Sequence, residues 1–235
     1  MPNHTPLCIV IGVGFGNGAA LVGKFAKAGY RVAMIARSRP VMAELESFFA
    51  DCHGYACDAG DPAALTACLA DIAAAHGVAD VLIYNAGKGV WGDALSVSAE
   101  EFEGAWRTNT LGSYAAARAV LPAMVERGAG AIVFIGATAS RRGGAKSVAF
   151  AAAKAAQRSL AESLARAYGP AGVHVALIVV DGIVAEPLML ERFSDKPREF
   201  FVEPLDIAEM ALMLVRQPGS TWTFELEARP FAEPW

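Results

Sequence analysis

Residues 7–20, LCIVIGVGFGNGAA, decide the fold that we predict for this chain. Residues 7–11 are mostly apolar and predict a buried strand. Four glycines follow within seven positions, at Gly12, Gly14, Gly16 and Gly18. Small and apolar residues then recur at helical spacing over 19–28. The stretch therefore predicts a strand, a glycine-rich turn and a helix, in that order.

This order is typical of a nucleotide cradle. Glycine allows the backbone to turn sharply and to approach a pyrophosphate with no Cβ in the way. The start of the helix presents free N–H groups and the positive end of its dipole to phosphate. A tight turn without a ligand can contain the same glycines. The position of this turn, between the first strand and the first helix, favours the nucleotide site.

Strands and helices alternate along the rest of the chain. Apolar runs predict strands at 31–36, 54–57, 81–84, 131–135 and 173–180, and an alternating pattern predicts a last strand at 221–227. Helices are predicted at 41–50, 62–76, 98–121, 147–168 and 205–216. The alternation predicts an α/β fold. We expect one doubly wound Rossmann-type domain over residues 1–235, with helices on both faces of a mostly parallel seven-stranded sheet.

The composition argues against several classes of function. The chain has 235 residues, 54% of them hydrophobic, which suits a compact globular protein. Its net charge of −4 argues against a nucleic-acid partner. The sequence shows neither a signal peptide nor an apolar run long enough to span a membrane. We therefore expect a cytoplasmic protein that acts on a small-molecule substrate and has no membrane partner.

The cysteines and histidines give no metal-binding pattern. The four cysteines are Cys8, Cys52, Cys57 and Cys68, and without an export signal we expect them to be free thiols. Cys52, His53 and Cys57 do not have the spacing of a zinc site. No metal is therefore expected.

The spacing Gly12-x-x-x-Gly16-x-Gly18 resembles the turn T-G-x-x-x-G-x-G of the short-chain dehydrogenase/reductase family. Ile11 stands in place of the threonine, and Phe15 and Asn17 occupy variable positions. The resemblance extends over nearly the whole chain. It implies a dinucleotide cofactor, with binding residues at Gly12, Gly14, Phe15, Gly16, Asn17 and Gly18.

Two further segments carry the resemblance. Asn85-Ala86-Gly87 matches the family's N-A-G segment, which backs the cofactor and braces the central strand. Asp58, after the predicted third strand, matches the aspartate that meets the adenine, although an acid at this position can also serve only as a cap or turn residue. The resemblance thus implies cofactor contacts at all four of these residues.

The residues after the second predicted strand indicate which dinucleotide is bound. NAD-binding folds of this kind tend to place an acid about 20 residues after the turn, where it bonds the ribose hydroxyls. This chain has Arg37, Ser38 and Arg39 there and no carboxylate. Arg37 can pair bidentately with a 2′-phosphate. We therefore favour NADP(H) over NAD(H), while a solvated loop arginine is the alternative.

The family's catalytic tetrad of Asn, Ser, Tyr and Lys is only half present. Asn109 matches its asparagine, and Lys154 matches the lysine of its Y-x-x-x-K motif. Phe150 stands at the tyrosine position and Ala137 at the serine position. The resemblance implies that the tyrosine would exchange a proton with the substrate and that the lysine would lower its pKa. Phe150 has no proton to give, so the proton route must differ from that of the family.

After the predicted sixth strand the family has P-G, a spacer and a threonine that hold the nicotinamide amide. Gly182 is retained here, and the Val184 backbone remains able to contact the amide. Asp181 and Glu186 replace the proline and the threonine. A carboxylate in this place favours a positively charged ring or a protonated amine substrate, unless both acids face solvent.

Other residues offer a proton at the altered site. Lys154 itself is one candidate, and a water molecule held by Asn109 and Lys154 is another. Thr138 follows Ala137, but neighbours on an extended strand point to opposite faces, so that only a local bend would bring it in. Further polar candidates are Tyr84, Ser140, Ser147 and Glu186. Lys154 can also have a purely structural role, in which it binds the cofactor through two donors to the nicotinamide ribose and takes no part in the chemistry.

Three interpretations follow from the sequence. The first is an NADP(H)-dependent oxidoreductase that acts on a small carbonyl, imine or enone with a non-standard proton donor. The second is a nucleotide-binding sensor or partner subunit that lost the chemistry, and the third is a non-redox enzyme that uses the nucleotide structurally. The two long alanine-rich helices resemble those that the family uses in dimer contacts, so a homodimer or homotetramer is expected.

Overall fold

The computed structural model describes residues 5–232. Its nine strands are β1 (Leu7–Ile11), β2 (Arg31–Ala36), β3 (Cys52–Ala56), β4 (Val81–Tyr84), β5 (Gly130–Ala137), β6 (Val173–Val180), β7 (Ile183–Val184), β8 (Phe201–Val202) and β9 (Glu225–Ala228). Seven of them form one sheet in the order β3-β2-β1-β4-β5-β6-β9, with every neighbouring pair parallel. The short strands β7 and β8 pair with each other.

Helices cover both faces of this sheet. They are α1 (Asn17–Lys27), α2 (Pro40–Phe48), α3 (Pro62–His76), α4 (Ala99–Trp106), α5 (Gly112–Arg127), α6 (Val148–Tyr168), α7 (Pro187–Arg192) and α8 (Pro204–Val215). The predicted doubly wound Rossmann-type fold with a parallel seven-stranded sheet is thereby confirmed. The assignment of residues 1–235 to one domain stays a prediction, and residues 1–4 and 233–235 lie outside the described part.

The sheet separates two apolar cores because successive strand residues point to opposite faces. In β1, Cys8 and Val10 face the core that contains residues of α1, α2 and α8. Leu7, Ile9 and Ile11 face the other core, which contains residues of α3, α5 and α6. All five β1 side chains are buried, as expected for a central parallel strand.

The register of the strands brings the predicted site residues to one edge. Ile11, the last residue of β1, lies opposite Ile35 of β2 and opposite Tyr84 of β4. Because all these strands run in the same direction, the loops that follow them emerge side by side. Ligands bind at this carboxyl edge in open parallel sheets.

The predicted helix 98–121 is wrong in its extent and continuity. The predicted capping box is present, since the Ser98 and Glu101 side chains each accept a bond from the other's backbone N–H. The helix then widens into a π-helical turn at Arg107–Leu111 and continues as α5 to Arg127. Pro122 is accommodated inside α5, and the left-handed Gly128 follows its end.

The predicted strand 221–227 begins later than expected. Residues 219–221 form a 3-10 turn, and the strand itself is Glu225–Ala228. Trp222 stacks on His174 with ring centroids 4.8 Å apart. Side-chain stacking therefore replaces backbone pairing at the start of this segment.

Ion pairs tie β9 to its neighbours. Glu225 pairs with Arg158 of α6 at 2.5 Å and with Arg141 at 2.7 Å. Arg141 also contacts Glu227. The segment that follows β5 is thus attached to the last strand of the sheet.

Candidate functional site

A cleft of about 1110 Å³ lies at the carboxyl edge of the sheet. Its volume slightly exceeds the range of about 300 to 1,000 Å³ that is usual for small-molecule and cofactor sites. The sequence-predicted residues that line it are Gly12, Gly14, Gly16, Asn17, Gly18, Arg37, Asp58, Asn85, Ala86, Gly87, Ala137, Phe150, Lys154, Gly182 and Val184. Two other predicted residues, Phe15 and Asn109, do not line the cleft.

The glycine-rich turn is shaped by close backbone packing. Gly12 has φ +94, and a Cβ there would lie 2.5 Å from Ala86 Cα. A Cβ on Gly18 would lie 2.6 Å from the Gly12 carbonyl oxygen. Asn85 Nδ2 donates to that oxygen at 2.7 Å, so the N-A-G segment braces the turn. Both glycines are therefore required for the shape of the turn.

The start of α1 presents backbone donors to the cleft. Gly16 is the N-cap of this helix and no side chain caps it. A Cβ built on Gly14 would meet no other atom within 4 Å, so the backbone here is open to a ligand. Asn17 Oδ1 is buried without a partner in the described part of the chain. This cradle fits the phosphates of a dinucleotide.

Phe15 lies on the outside of the turn. Its side chain is 66% exposed, and it is not among the residues that line the cleft. The glycine spacing indicates where the turn is, but the direction of each side chain depends on the backbone conformation of the turn.

The cleft has a cationic end beyond β2. Arg37 and Ser38 line it, together with Cys57 and Asp58 from the end of β3. Arg39 points elsewhere, since its guanidinium bonds the Gly54 carbonyl and Glu46. Only the first of the two arginines is thus available in the cleft.

Asp58 combines two of the roles that the sequence allowed. Its Oδ1 accepts from Gly60 N at 2.8 Å, which makes it a turn residue. It also lines the cleft beside Arg37. A carboxylate therefore stands at the same end of the cleft as this guanidinium.

Asn109 is held behind the wall of the cleft by the π-helical turn. It is fully buried, and Nδ2 donates to the Lys88 carbonyl at 3.0 Å and to the Ala105 carbonyl at 2.9 Å. Oδ1 is left without a partner among the residues that the structure describes. A Cβ on Gly87 would lie 3.3 Å from this Oδ1 and 4.0 Å from Lys154 Nζ. The free acceptor and the lysine thus flank the same glycine.

Lys154 is a buried cation with neutral partners. Its Nζ donates to the Ile135 carbonyl at 2.9 Å and to Gln157 Oε1 at 3.0 Å. Burial lowers the pKa of Lys154 to about 8. At neutral pH this ammonium is therefore a much stronger proton donor than an ordinary lysine. Sequence reasoning did not identify Gln157, although its spacing of three residues places it on the same helix face.

The tyrosine and serine positions of the motif are apolar in space as well as in sequence. The Phe150 ring centroid lies 5.9 Å from Lys154 Nζ and 5.2 Å from the Trp91 ring centroid. Ala137 is the last residue of β5 and lines the cleft with them. This end of the cleft therefore has a lysine and an aromatic wall, with no phenol at residue 150.

Thr138 does enter the cleft, because β5 ends at Ala137 and a 3-10 turn begins at Thr138. This is the local bend that the strand pattern alone would not produce. Its hydroxyl donates to Asp181 Oδ1. The Thr138 proton is thus already engaged by a carboxylate.

The other hydroxyl candidates are engaged as well. Ser140 Oγ donates to the Ala137 carbonyl at 2.7 Å. Ser147 lines the cleft, and its Oγ bonds both N and O of Gly144. Tyr84 is fully buried, donates to the Thr108 carbonyl at 2.5 Å and does not line the cleft. Burial raises the pKa of Tyr84 well above its usual value, which makes it a poor acid.

The segment after β6 brings two carboxylates to the site. Asp181 bonds Arg229 at 3.0 Å, accepts from Thr138 and lies 3.8 Å from Arg142. Glu186 lies at the glycine turn, where a Cβ on Gly16 would be 3.1 Å from its Oε2. Asp181 is thus a structural anchor, whereas Glu186 places negative charge beside the cradle.

Residues that the sequence analysis did not single out also line the cleft. They include Lys88 and Arg142, which add positive charge. Within residues 5–232, no cluster of three His, Cys, Asp or Glu side chains has the arrangement of a metal site. None of the helices in this part of the chain has the length and apolarity needed to cross a bilayer.

Comparison with known proteins gives matches over most of the chain. A family model described as short chain dehydrogenase matches residues 7–196. A D-threitol dehydrogenase of Mycolicibacterium smegmatis is 30% identical over 131 residues, 54% of this chain and 50% of that protein. The NADP-dependent 3-hydroxy acid dehydrogenase YdfG of Escherichia coli strain K12 is 33% identical over 135 residues, 57% of this chain and 54% of that protein. The chain thus spans about half the length of the curated relatives that it matches.

Solved structures match over nearly their whole length. A metagenomic short-chain oxidoreductase in complex with NADP has a TM-score of 0.82 and 28% identity, with 96% of this chain and 97% of that chain covered. A short-chain dehydrogenase from Rhodopseudomonas palustris has a TM-score of 0.80 and 32% identity, with 96% and 99% covered.

Proposed function

Because this chain belongs to the short-chain dehydrogenase family, we propose that it is an NADP(H)-dependent oxidoreductase with a lysine in place of the family's tyrosine as proton donor. The observation that carries the proposal is the position of Lys154. It lines the cleft and is buried, and its Nζ lies 5.9 Å from the centroid of the ring at the tyrosine position.

The cofactor would lie along the carboxyl edge of the sheet. The backbone of Gly14, Gly16 and Asn17 would bind its diphosphate, and Asn85, Ala86 and Gly87 would back it. Gly182 and Val184 would contact the nicotinamide end. NADP(H) is favoured over NAD(H) because Arg37 lines the cleft with its guanidinium available, and because relatives in the family are described as NADP-dependent or as complexed with NADP. When bound, this cofactor supplies or accepts hydride.

The residues of this chain would orient the substrate and supply the proton. Lys154 Nζ has three N–H groups, of which two bond Ile135 and Gln157. The third remains for a substrate atom or for a water molecule held at Asn109 Oδ1. Asn109, Ala137 and Phe150 would shape this end of the cleft without exchanging a proton themselves.

The substrate class follows from what the altered site can still do. A small carbonyl, imine or enone needs one proton for each hydride that it receives. The rate gain from a positioned acid is about 10² to 10⁴, and a substrate that is already activated needs less of it. Imines and enones are therefore expected to react better than simple ketones.

A second function is favoured by one observation. Ala137 and Phe150 both lack the hydroxyl of the family's motif, and Thr138, Ser140 and Tyr84 each donate to a protein acceptor. A protein that binds NADP(H) as a sensor or as a partner subunit would need no proton donor here.

One experiment separates these functions. NADPH and NADH are titrated by fluorescence, and carbonyls, imines and enones are then screened for NADPH oxidation. We expect tighter binding of NADPH than of NADH, and oxidation with at least one imine or enone. Tight binding without turnover on the whole panel would instead support the sensor. Failure to bind either dinucleotide would overturn both.

The exposed surface of α4 and α5 is the basis for a proposal on self-association. Phe102, Trp106 and Tyr114, on α4 and α5, are partly exposed aromatic residues. They suit a homodimer or homotetramer through these helices, which light scattering in solution would test. We also propose that the protein is located in the cytoplasm.

A further inference from the structure

We propose that Gln157 is a positioning residue that holds Lys154 in both of its protonation states, so that the lysine can lose a proton and regain it within a buried site. The inference rests on the proposed function only in taking Lys154 as the proton donor.

The geometry places Gln157 as a neutral partner of Lys154. Both residues are on α6 and are buried, and Gln157 is fully so. Gln157 Oε1 accepts from Lys154 Nζ at 3.0 Å. Gln157 Nε2 has no hydrogen-bond partner among the described residues. An unpaired buried amide donor is unfavourable, and this one belongs to the side chain that contacts the lysine.

An amide can serve a lysine whose charge changes. The ammonium has three donors and no acceptor, and Oε1 accepts from it as observed. After a proton leaves, Nζ carries a lone pair that can accept a hydrogen bond. Rotation of the terminal torsion of Gln157 would then present Nε2 as the donor. Gln157 Nε2, which is unpaired beside the ammonium, would thus donate a hydrogen bond to Lys154 once the lysine is neutral.

The proton balance of this step is simple. One Nζ–H bond of Lys154 breaks, its electron pair stays on Nζ, and the proton forms a new O–H, N–H or C–H bond on the carbonyl, imine or enone that receives hydride. The lone pair on Nζ accepts from Gln157 until solvent returns a proton. No additional oxidant or reductant is needed.

No charged side chain competes with Gln157 for this role. Burial is the cause of the lowered Lys154 pKa. The charged residues that line the same cleft are Arg37, Asp58, Lys88, Arg142 and Glu186. On α6, Arg158 is paired with Glu225. Within the described part of the chain, none of these forms a hydrogen bond or ion pair with Lys154. A change at Gln157 should therefore change the protonation of Lys154 directly.

Two substitutions separate the roles of the amide. Gln157→Glu keeps an acceptor, adds negative charge and removes the donor, so that it should hold Lys154 protonated. Gln157→Leu removes both groups. Because hydrogen bonds from a charged donor are the stronger ones, this loss should disfavour the ammonium more than the amine. Ser159→Glu adds the same charge at an exposed position of α6 and is the matched control.

The protonation of Lys154 can be followed without turnover. Lysine labelled with ¹³C at Cε is titrated by NMR from about pH 6 to about pH 11, and the Lys154 signal is assigned by its loss in Lys154→Met. In the wild-type protein we expect the Lys154 signal to titrate with a midpoint of about 8. Gln157→Glu should raise it by about one unit or more, Gln157→Leu should lower it, and Ser159→Glu should leave it in place. An unchanged midpoint in both Gln157 variants would overturn the inference.

Kinetics then separates this inference from the proposed function. With an active substrate, the basic limb of the kcat profile should move with the Lys154 midpoint, while KM stays within about twofold. A midpoint that moves while the kcat profile stays fixed would overturn the assignment of Gln157 to proton delivery. If no substrate turns over, the oxidoreductase proposal fails, while a shifted NMR midpoint still shows that Gln157 controls the charge of Lys154.

Discussion

The side chain of Glu186 lies against Gly16 at the N-terminus of α1. A Cβ on Gly16 would be 3.1 Å from Glu186 Oε2, and 3.2 Å from Glu186 Cβ. The two residues are 170 positions apart in the chain, and the loop after β1 and the connection between β7 and α7 bring them together. A carboxylate thus stands beside the backbone donors that would receive a diphosphate, so cofactor and carboxylate would repel each other.

Glu186→Gln is therefore expected to tighten dinucleotide binding. Removing one negative charge near the diphosphate should lower the dissociation constant of NADPH about five- to tenfold, which corresponds to about 1 kcal/mol at a partly solvated site. The gain should shrink as ionic strength rises. Fluorescence titration measures it, with exposed Glu191→Gln of α7 as the control. Equal affinities of wild type and variant would show that Glu186 moves away from the cradle at no cost.

Arg37→Ala should weaken NADPH binding much more than NADH binding. The guanidinium lines the cleft and would lose its pairing with the 2′-phosphate, which NADH lacks. We expect a loss of about tenfold or more for NADPH and less than about twofold for NADH. Arg39→Ala is the matched control, because Arg39 is bonded to Gly54 and Glu46. A comparable loss for both dinucleotides would contradict the preference for NADP(H).

Ala137→Ser combined with Phe150→Tyr should create or raise ketone reduction. The new phenol would lie beside Lys154, whose ammonium is 5.9 Å from the present ring centroid. A gain of about 10² to 10⁴ in kcat/KM is expected from a positioned acid. Phe150→Tyr with Ala139→Ser serves as control, since residue 139 also lines the cleft but is not at the motif position. No gain in the double variant would mean that the site is arranged differently from the family's.

Lys154→Met should alter how stability depends on pH. The folded-state pKa of about 8 lies below the ordinary value of 10.5. The unfolded chain therefore binds more protons between these values, and Lys154 makes wild-type stability rise with pH in that window. Below pH 8, both states are protonated and the burial cost is constant.

The difference in unfolding free energy between wild type and Lys154→Met should thus move in favour of wild type above pH 8, by about 3 kcal/mol at most. Urea unfolding at several pH values measures this slope. The hydrogen bonds that the variant loses change its unfolding free energy by an amount that does not depend on pH, so they do not affect how the difference varies with pH. Exposed Lys27→Met should give a flat difference. A flat difference for Lys154→Met as well would mean that the buried amine titrates normally.

The fold was predictable because its signals are local. Apolar runs bounded by glycine or polar residues gave β1, β2, β4 and β6 with their observed bounds. Errors arose where a local signal was overridden. The helix predicted to end at residue 121 continues through Pro122 to Arg127. The aromatic residue Trp222, in the predicted last strand, stacks on His174 instead.

The sequence predicted which residues of the candidate site lie at the ends of strands, but not how the remaining residues are arranged around them. Motif spacing placed Lys154, Phe150 and Ala137 near one another along the edge of the sheet. It did not indicate that a π-helical turn would set Asn109 behind the cleft wall. Nor did it indicate the contact of Glu186 with Gly16, because no local pattern links segments so far apart.

The last strand and Arg229 support the end of the cleft that contains Thr138 without lining it. Glu225 and Glu227 hold Arg141, and Arg229 holds Asp181, which in turn engages Thr138. The family match stops at residue 196, before all three of these anchors. A chain cut after α8 would keep every residue that lines the cleft, but it would lose the anchors that hold Arg141 and Asp181. The C-terminal boundary of any shortened version of this protein should therefore be chosen from the contacts in the structure and not from the end of the family match.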